Sequence, residues 1–168
     1  MGLMALGIAL LAFDAWLIWL VWNGAPFVPT KRATVDRMVA VAGVKPGDRA
    51  LDIGSGDGRI VIALAKAGAE AHGIDNNPLL VWWSRWNIRK AGLSGRAFIH
   101  WGNFWHHDFS PYDVVTLFGI TQIMRRLERK LEKELKPGSR VVSNSFQFPT
   151  WKNVRKDDAV FVYETISW

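Results

Sequence analysis

Cysteine is absent from the 168 residues, which removes disulfides, thiolate metal sites and thiol nucleophiles together. A disulfide-stapled secreted scaffold is thereby excluded. Histidine is scarce, at positions 72, 100, 106 and 107 only, and neither H-E-x-x-H nor a comparable ligand spacing occurs, so no metal is expected. No internal repeat or low-complexity segment stands out. Tryptophan, in contrast, is plentiful, with ten residues, and the formal net charge is +6.

The chain has one long apolar run, Leu3 to Trp22, whose only charge is Asp14. As a helix it would measure about 30 Å, the thickness of a hydrocarbon core. It lacks the basic start and small-residue cleavage site of a signal peptide, and Pro26 follows Asn23-Gly24-Ala25, so an uncleaved single-pass anchor is expected. Lys31, Arg32 and Arg37 follow the run and no basic residue precedes it, which places the remainder on the cytoplasmic side of the bilayer. Trp16, Trp19 and Trp22 share one helical side and could seat that end in the interface. At the centre of a lone spanning helix Asp14 would cost about 2.5 to 3.5 kcal/mol. Either it finds a partner, in a homo-oligomer formed through the anchor or in a membrane substrate, or the helix sits so that Asp14 stays hydrated. The expected layout is 1–24 transmembrane anchor, 25–47 linker and helix, and 48–168 a single domain.

Pro26 and Pro29 make Ala25 to Thr30 a short stiff linker. Thr30 then suits the N-cap of a helix through about Ala42, with Val35, Met38, Val39 and Ala42 on one face and Gly43 as the stop. Beyond it strands and helices alternate: strand to Ile53, helix 58–67, strand 70–74, helix 78–91 entered by Asn77-Pro78, strand 96–101, strand 112–118, helix 120–135, strand 140–145. This order predicts an α/β fold with a parallel sheet covered on both faces. The segments 151–155 and 159–166, split by Lys156-Asp157-Asp158, read as a closing antiparallel hairpin.

The most informative stretch is Ala50-Leu51-Asp52-Ile53-Gly54-Ser55-Gly56-Asp57-Gly58-Arg59, an apolar strand feeding a glycine turn that opens a helix, with a second strand ending in Asp75. Glycines at 54, 56 and 58 let the backbone adopt positive φ and approach a ligand closely, while the helix start offers unpaired N–H groups. A dinucleotide turn would carry a third glycine where this chain has Arg59. Asp52 and Asp57 would repel a diphosphate and suit a cofactor with a cationic end. Asp75 can accept from two hydroxyls at once.

This D-x-G-x-G-x-G pattern with an acid closing the second strand resembles motif I and the acidic loop of class I (Rossmann-like) methyltransferases that use S-adenosylmethionine and release S-adenosylhomocysteine. The resemblance implies that Asp52, Gly54, Ser55, Gly56, Asp57 and Gly58 face the methionine part of the cofactor, and that Asp75 and Asn76 face the ribose. After the third strand it implies that Asn103 accepts from the adenine amino group and Phe104 stacks on the ring. The (Asn/Asp)-Pro-Pro-(Tyr/Phe) motif of many base methyltransferases is missing at Thr116-Leu117-Phe118-Gly119.

A closer resemblance rests on Pro26-Phe27-Val28-Pro29-Thr30, on Leu51 to Val61, and on Arg140-Val141-Val142-Ser143 leading to Phe148-Pro149-Thr150-Trp151. These look like the membrane-anchored lysine methyltransferases whose mitochondrial members modify the ATP synthase c-ring protein and the adenine nucleotide translocase, with this chain a prokaryotic-type member. Departures are Asp75-Asn76-Asn77-Pro78, where relatives have Glu-Leu-Asn-Pro, and Asn103 in place of an acid. The implied reaction is methyl transfer to lysine ε-amines of a membrane-associated protein. Candidates for the lysine channel are Phe27, Pro29, Thr30, Thr116, Phe118 and Trp151, with Trp105 and Phe146 beside them; the aromatic members also fit core packing, and Phe27 and Trp151 rest on the resemblance. His106-His107-Asp108 reads as a solvated loop, and the interleaved charges of 125–136 as a solvated helix. No nucleic-acid partner is expected. A phospholipid-headgroup N-methyltransferase and a non-catalytic membrane adaptor of the same fold are the alternatives.

Overall fold

The computed structural model describes residues 28–165, with Gly7 and Leu11. In chain order the elements are α1 (Arg32–Ala42), β1 (Arg49–Ile53), α2 (Arg59–Lys66), β2 (Glu70–Asp75), α3 (Pro78–Lys90), β3 (Ala97–Trp101), a 3-10 turn (Phe104–His106), β4 (Val114–Leu117), α4 (Thr121–Glu134), β5 (Arg140–Asn144), β6 (Arg155–Asp157) and β7 (Val160–Glu164). The strands form one sheet in the order β3-β2-β1-β4-β5-β7-β6. β1 to β5 are parallel, and β7 and β6 close the sheet antiparallel. Strand order reverses between β1 and β4, which opens a crevice beyond their carboxyl ends, the usual ligand position in such sheets.

Two apolar layers hold the sheet. Val35, Met38, Leu64, Val81 and Ile88 pack α1, α2 and α3 on one face. Leu127 and Leu131 of α4 meet Leu51, Val115, Phe148 and Tyr163 on the other. These central strands are buried on both faces, which is why they read as nearly continuous apolar runs. Asn77 caps α3 by accepting from the Leu79 and Leu80 N–H groups, with Pro78 in the first turn, and Gly43 ends α1 in the left-handed region as its position suggested.

Several expectations change. Lys31, not Thr30, occupies the α1 N-cap, without a side-chain cap. Thr30 is buried, and its carbonyl is instead taken by the Arg59 guanidinium at 2.7 Å. β4 starts at Val114 because the Tyr112 N–H turns back to the Phe109 carbonyl. The hairpin begins at Arg155, with Lys156 and Asp157 inside the ladder opposite Phe161 and Val160, and the turn falls at Asp158, φ 55°.

Residues 151–153 stay outside that ladder, which the Val154 N–H joins by donating to the Val162 carbonyl at 2.8 Å. Glu128 of α4, 2% exposed, accepts from the Thr150 N–H, the Thr150 hydroxyl and the Trp151 N–H. Not every charge of this helix is solvated: one carboxylate points inward and ties down the Pro-Thr-Trp segment. Glu128→Ala would leave two backbone donors without their acceptor, and is expected to lower stability to urea by roughly 3 kcal/mol.

The single-pass anchor is the main correction. Among the described residues no helix is long and apolar enough to cross a membrane. The run from Leu3 to Trp22, Asp14 included, lies outside the described residues apart from Gly7 and Leu11. Single-pass membrane localisation with a cytoplasmic domain is therefore withdrawn, and the oligomer through that anchor with it.

Candidate active site

The glycine turn is built by β2 as much as by its own sequence. Gly54 and Ser55 N–H groups donate to the Ile74 carbonyl at 2.9 and 3.1 Å, and the Gly56 N–H donates to Asp75 Oδ2 at 2.9 Å. Gly54, Gly56 and Gly58 all have positive φ, at 73°, 53° and 80°. At Gly58 the requirement is double, because an added Cβ would also lie 2.9 Å from Ser84 Cβ on α3. Gly58→Ala is expected to cost roughly 3 kcal/mol, seen as a lower midpoint in thermal unfolding and weaker cofactor binding. Ser55 nests against β2 where Gly73 has no side chain, and its buried Oγ has no hydrogen-bond partner among the described residues.

Three carboxylates surround the turn, and the structure separates their tasks. Asp57 is engaged within the protein, receiving Arg59 Nε at 2.9 Å and a second guanidinium nitrogen at 2.6 Å. Arg59 also holds the Thr30 carbonyl, so it neutralises Asp57 and clamps the segment before α1 onto the turn. Asp75 accepts from Gly56 through Oδ2 and from the Asn77 N–H through Oδ1 at 2.8 Å. Each of its oxygens retains acceptor capacity for a hydroxyl. Asp52 is 2% exposed and accepts from Thr116 Oγ1 at 2.7 Å. Burial pushes its carboxyl up to about 7 against the pull of that hydrogen bond, and the charges of Asp75 and Asp57 push the same way. A cationic ligand relieves both carboxylates that Arg59 leaves uncompensated; a diphosphate would add to the strain. The residues therefore fit S-adenosylmethionine.

On the adenine side the arrangement is looser. Asn103 is exposed, and its Oδ1 accepts from the Trp105 N–H at 3.0 Å, capping the 3-10 turn. Phe104 is half-buried, its ring 4.6 Å from that of Trp105. Asn76 is exposed, and its carbonyl accepts from Trp101 Nε1. His106 is exposed, whereas His107 is half-buried and shares a 2.9 Å hydrogen bond with the Tyr112 hydroxyl, so the expectation of a wholly solvated loop is revised.

A cavity of about 240 Å³ at the carboxyl ends of β4 and β5 brings Pro29, Thr30 and Phe118 together with Asn144, Ser145 and Val160. Arg37 and Asp158, an ion pair between α1 and the β6–β7 turn, also line it. Ser145 holds φ at 66°, donates its N–H to the Ala159 carbonyl at 2.7 Å and its hydroxyl to Asn144 Oδ1 at 3.1 Å. A non-glycine residue in that region at the end of a strand marks a place where the surroundings override local preference. The other channel candidates lie elsewhere. Thr116 is buried against Asp52, and Trp151 packs on Phe148 and Tyr163 with its indole N–H directed to the Glu164 carbonyl. Phe27 lies outside the described residues. Sequence reasoning missed Arg59, Asn144 and Ser145 as site members; Asn144 ends β5 and Ser145 follows it, where ligands are met in such sheets.

A doubly wound sheet closed by an antiparallel hairpin, with an acid-flanked glycine turn that favours a cation and an acid capping β2, defines a class I S-adenosylmethionine-dependent methyltransferase domain. Residues 52–155 match the family described as ANTKMT methyltransferase domain, and the chain belongs to that family. It is 45% identical over 126 residues to a mouse lysine N-methyltransferase named for the ATP synthase c-ring protein, covering 75% of this chain and 51% of that enzyme. It is 44% identical over 128 residues to a protein-lysine N-methyltransferase of Saccharolobus islandicus, covering 75% of this chain and 80% of that one. The chain thus spans about half the length of the mammalian relatives named for the ATP synthase. Among solved structures, an RNA methyltransferase from Salinibacter ruber in complex with S-adenosyl-L-homocysteine is similar, with TM-score 0.81, 35% identity, and coverage of 84% of this chain and 95% of that one.

Proposed function

We propose that this chain transfers methyl groups from S-adenosylmethionine to lysine ε-amines of a membrane-associated protein, with residues 48–168 as the catalytic domain and 25–47 as the linker and helix that precede it. The observation that carries the reading is the position of that cavity, at the carboxyl ends of β4 and β5 beside the strand that feeds the glycine turn, with Pro29, Phe118 and Val160 in its wall. Relatives named for lysine substrates, including a mouse adenine nucleotide translocase lysine N-methyltransferase at 34% identity over 144 residues, point the same way.

Bound at the turn, S-adenosylmethionine supplies a methyl group on a positively charged sulfur. The chain's own task is to deliver a neutral amine in line with it. Free lysine has a pKa near 10.4, and both the apolar residues Pro29, Phe118 and Val160 and the cation of Lys31 in the wall favour its uncharged form, so the amine gives its proton to solvent on entry without a dedicated base. Asp158, the carboxylate in the wall, is paired with Arg37. The Asn144 amide and the Ser145 hydroxyl are placed to orient an amine, and orientation alone can supply roughly 7 to 11 kcal/mol of rate. Asp52 and Asp75 would hold the cofactor, with Asn76, Asn103 and Phe104 toward its ribose and adenine.

The test is incubation of the full chain with tritiated S-adenosylmethionine and separate pools of membrane protein, lipid and RNA. Label recovered as methyl-lysine supports the reading. Label in the lipid extract favours headgroup methylation, and label in RNA favours the activity for which the Salinibacter protein is described. Cofactor binding without label in any pool favours an adaptor.

A further inference from the structure

Helix α3 carries two apolar faces. Val81, Ser84 and Ile88 point inward and are buried. Leu79, Trp82 and Trp86, spaced three and four apart, therefore form a stripe on the opposite side, 55%, 70% and 48% exposed. Trp101, at the end of edge strand β3 and 67% exposed, extends the stripe, because its indole N–H donates to the Asn76 carbonyl in the turn that enters α3. Single exposed apolar residues are ordinary on a protein surface, but three tryptophans and a leucine joined in one patch mark an interaction site.

The stretch of chain that carries this patch has charge of one sign. From Asn76 to His107 the chain contains no aspartate or glutamate, while Arg85, Arg89, Lys90 and Arg96 are all basic and exposed. Lys90 Nζ lies 5.0 Å from the Trp86 ring, and the Arg85 guanidinium reaches across to the Ile99 carbonyl on β3, so the cations frame the aromatic stripe. The rings stand on the convex side of a helix, and the amine cavity lies elsewhere, at the ends of β4 and β5. A convex row of indoles flanked by basic residues matches a layered surface, anionic outside and apolar beneath. A base-stacking partner would want a groove.

We propose that the outer face of α3, with Trp101, docks the protein peripherally on an anionic lipid surface, with the indoles at headgroup depth and Arg89, Lys90 and Arg96 on the phosphates. This requires no spanning segment and does not depend on the identity of the methyl acceptor.

The absence of native cysteine makes the test specific to this face. In the full chain, Leu79→Cys and, as a control on the exposed β5–β6 loop, Lys152→Cys are each labelled with an environment-sensitive fluorophore and titrated with vesicles. With vesicles containing phosphatidylglycerol, iodide quenching at position 79 is expected to fall by about threefold, while position 152 is unchanged and neutral phosphatidylcholine vesicles have little effect. Arg89→Gln/Lys90→Gln in the same background should abolish the protection, as should high salt, with S-adenosylhomocysteine affinity unaltered. Equal quenching at 79 and 152 in anionic vesicles would overturn the proposal. So would protection of position 79 that needs no vesicle and grows with protein concentration, which would mean a second copy covers the face, or protection by added RNA alone.

Discussion

Asp75→Ala weakens S-adenosylhomocysteine binding by an expected factor of roughly 100 or more, because two sets of hydrogen bonds fail together. The first is the pair of ligand hydroxyls that the carboxylate would accept. The second is internal: the Gly56 and Asn77 N–H groups lose their acceptor, so the glycine turn is no longer tied to the end of β2. Asp75→Asn separates these effects. An amide keeps one accepting oxygen, so it is expected to retain part of the fold stability lost in the alanine variant while still binding the product poorly. Isothermal calorimetry for affinity and urea unfolding for stability distinguish the two. Full affinity in Asp75→Ala would remove the cofactor assignment of this residue.

Cofactor binding should also be proton-linked through Asp52. Burial raises its carboxyl from 3.8 to about 7 in the ligand-free protein. A group whose pKa is raised by folding contributes fully to stability below its unfolded value, near pH 4, and loses that contribution as pH rises through 7. The shift corresponds to about 4 kcal/mol against the ligand-free fold at pH 8. A cation bound near Asp52 favours the carboxylate and pulls its pKa down. S-Adenosylmethionine binding is thus expected to release a proton near pH 6 and to tighten as pH rises toward 7, then level off. Asp52→Asn should flatten that profile, weaken binding by about tenfold at pH 8, and raise ligand-free stability there by roughly 2 kcal/mol. Calorimetry in buffers of different ionisation enthalpy reads the proton directly. No proton release in the native chain would show that the cation does not lie near Asp52.

The parts of the fold legible in the sequence were those governed by local chemistry. The glycine turn, the Asn77-Pro78 helix start and the Gly43 stop each have one economical geometry, and all three formed where expected. Less legible were features settled by partners distant in sequence. Thr30 has the composition of a cap, yet Arg59, 29 residues later, takes its carbonyl. Glu128 looks like one more charge on a solvated helix until Thr150 and Trp151 fold onto it. The same holds for the site. As candidates Asp52 and Asp75 could be placed from sequence because they lie at or near strand ends, whereas Asn144 and Ser145 become candidates only once the Ala159 carbonyl, just before β7, pins Ser145.

The Arg59 clamp also joins two compartments. Residue 30 borders the amine cavity and Asp57 belongs to the cofactor turn, and a single guanidinium grips both. A ligand that shifts Arg59 from one side is therefore expected to alter affinity on the other, and by reciprocity equally in both directions. Non-additive binding of acceptor and methyl donor, lost in Arg59→Ala, is the expected result of titrating each with and without the other, at the position where a dinucleotide-binding turn would have kept a glycine.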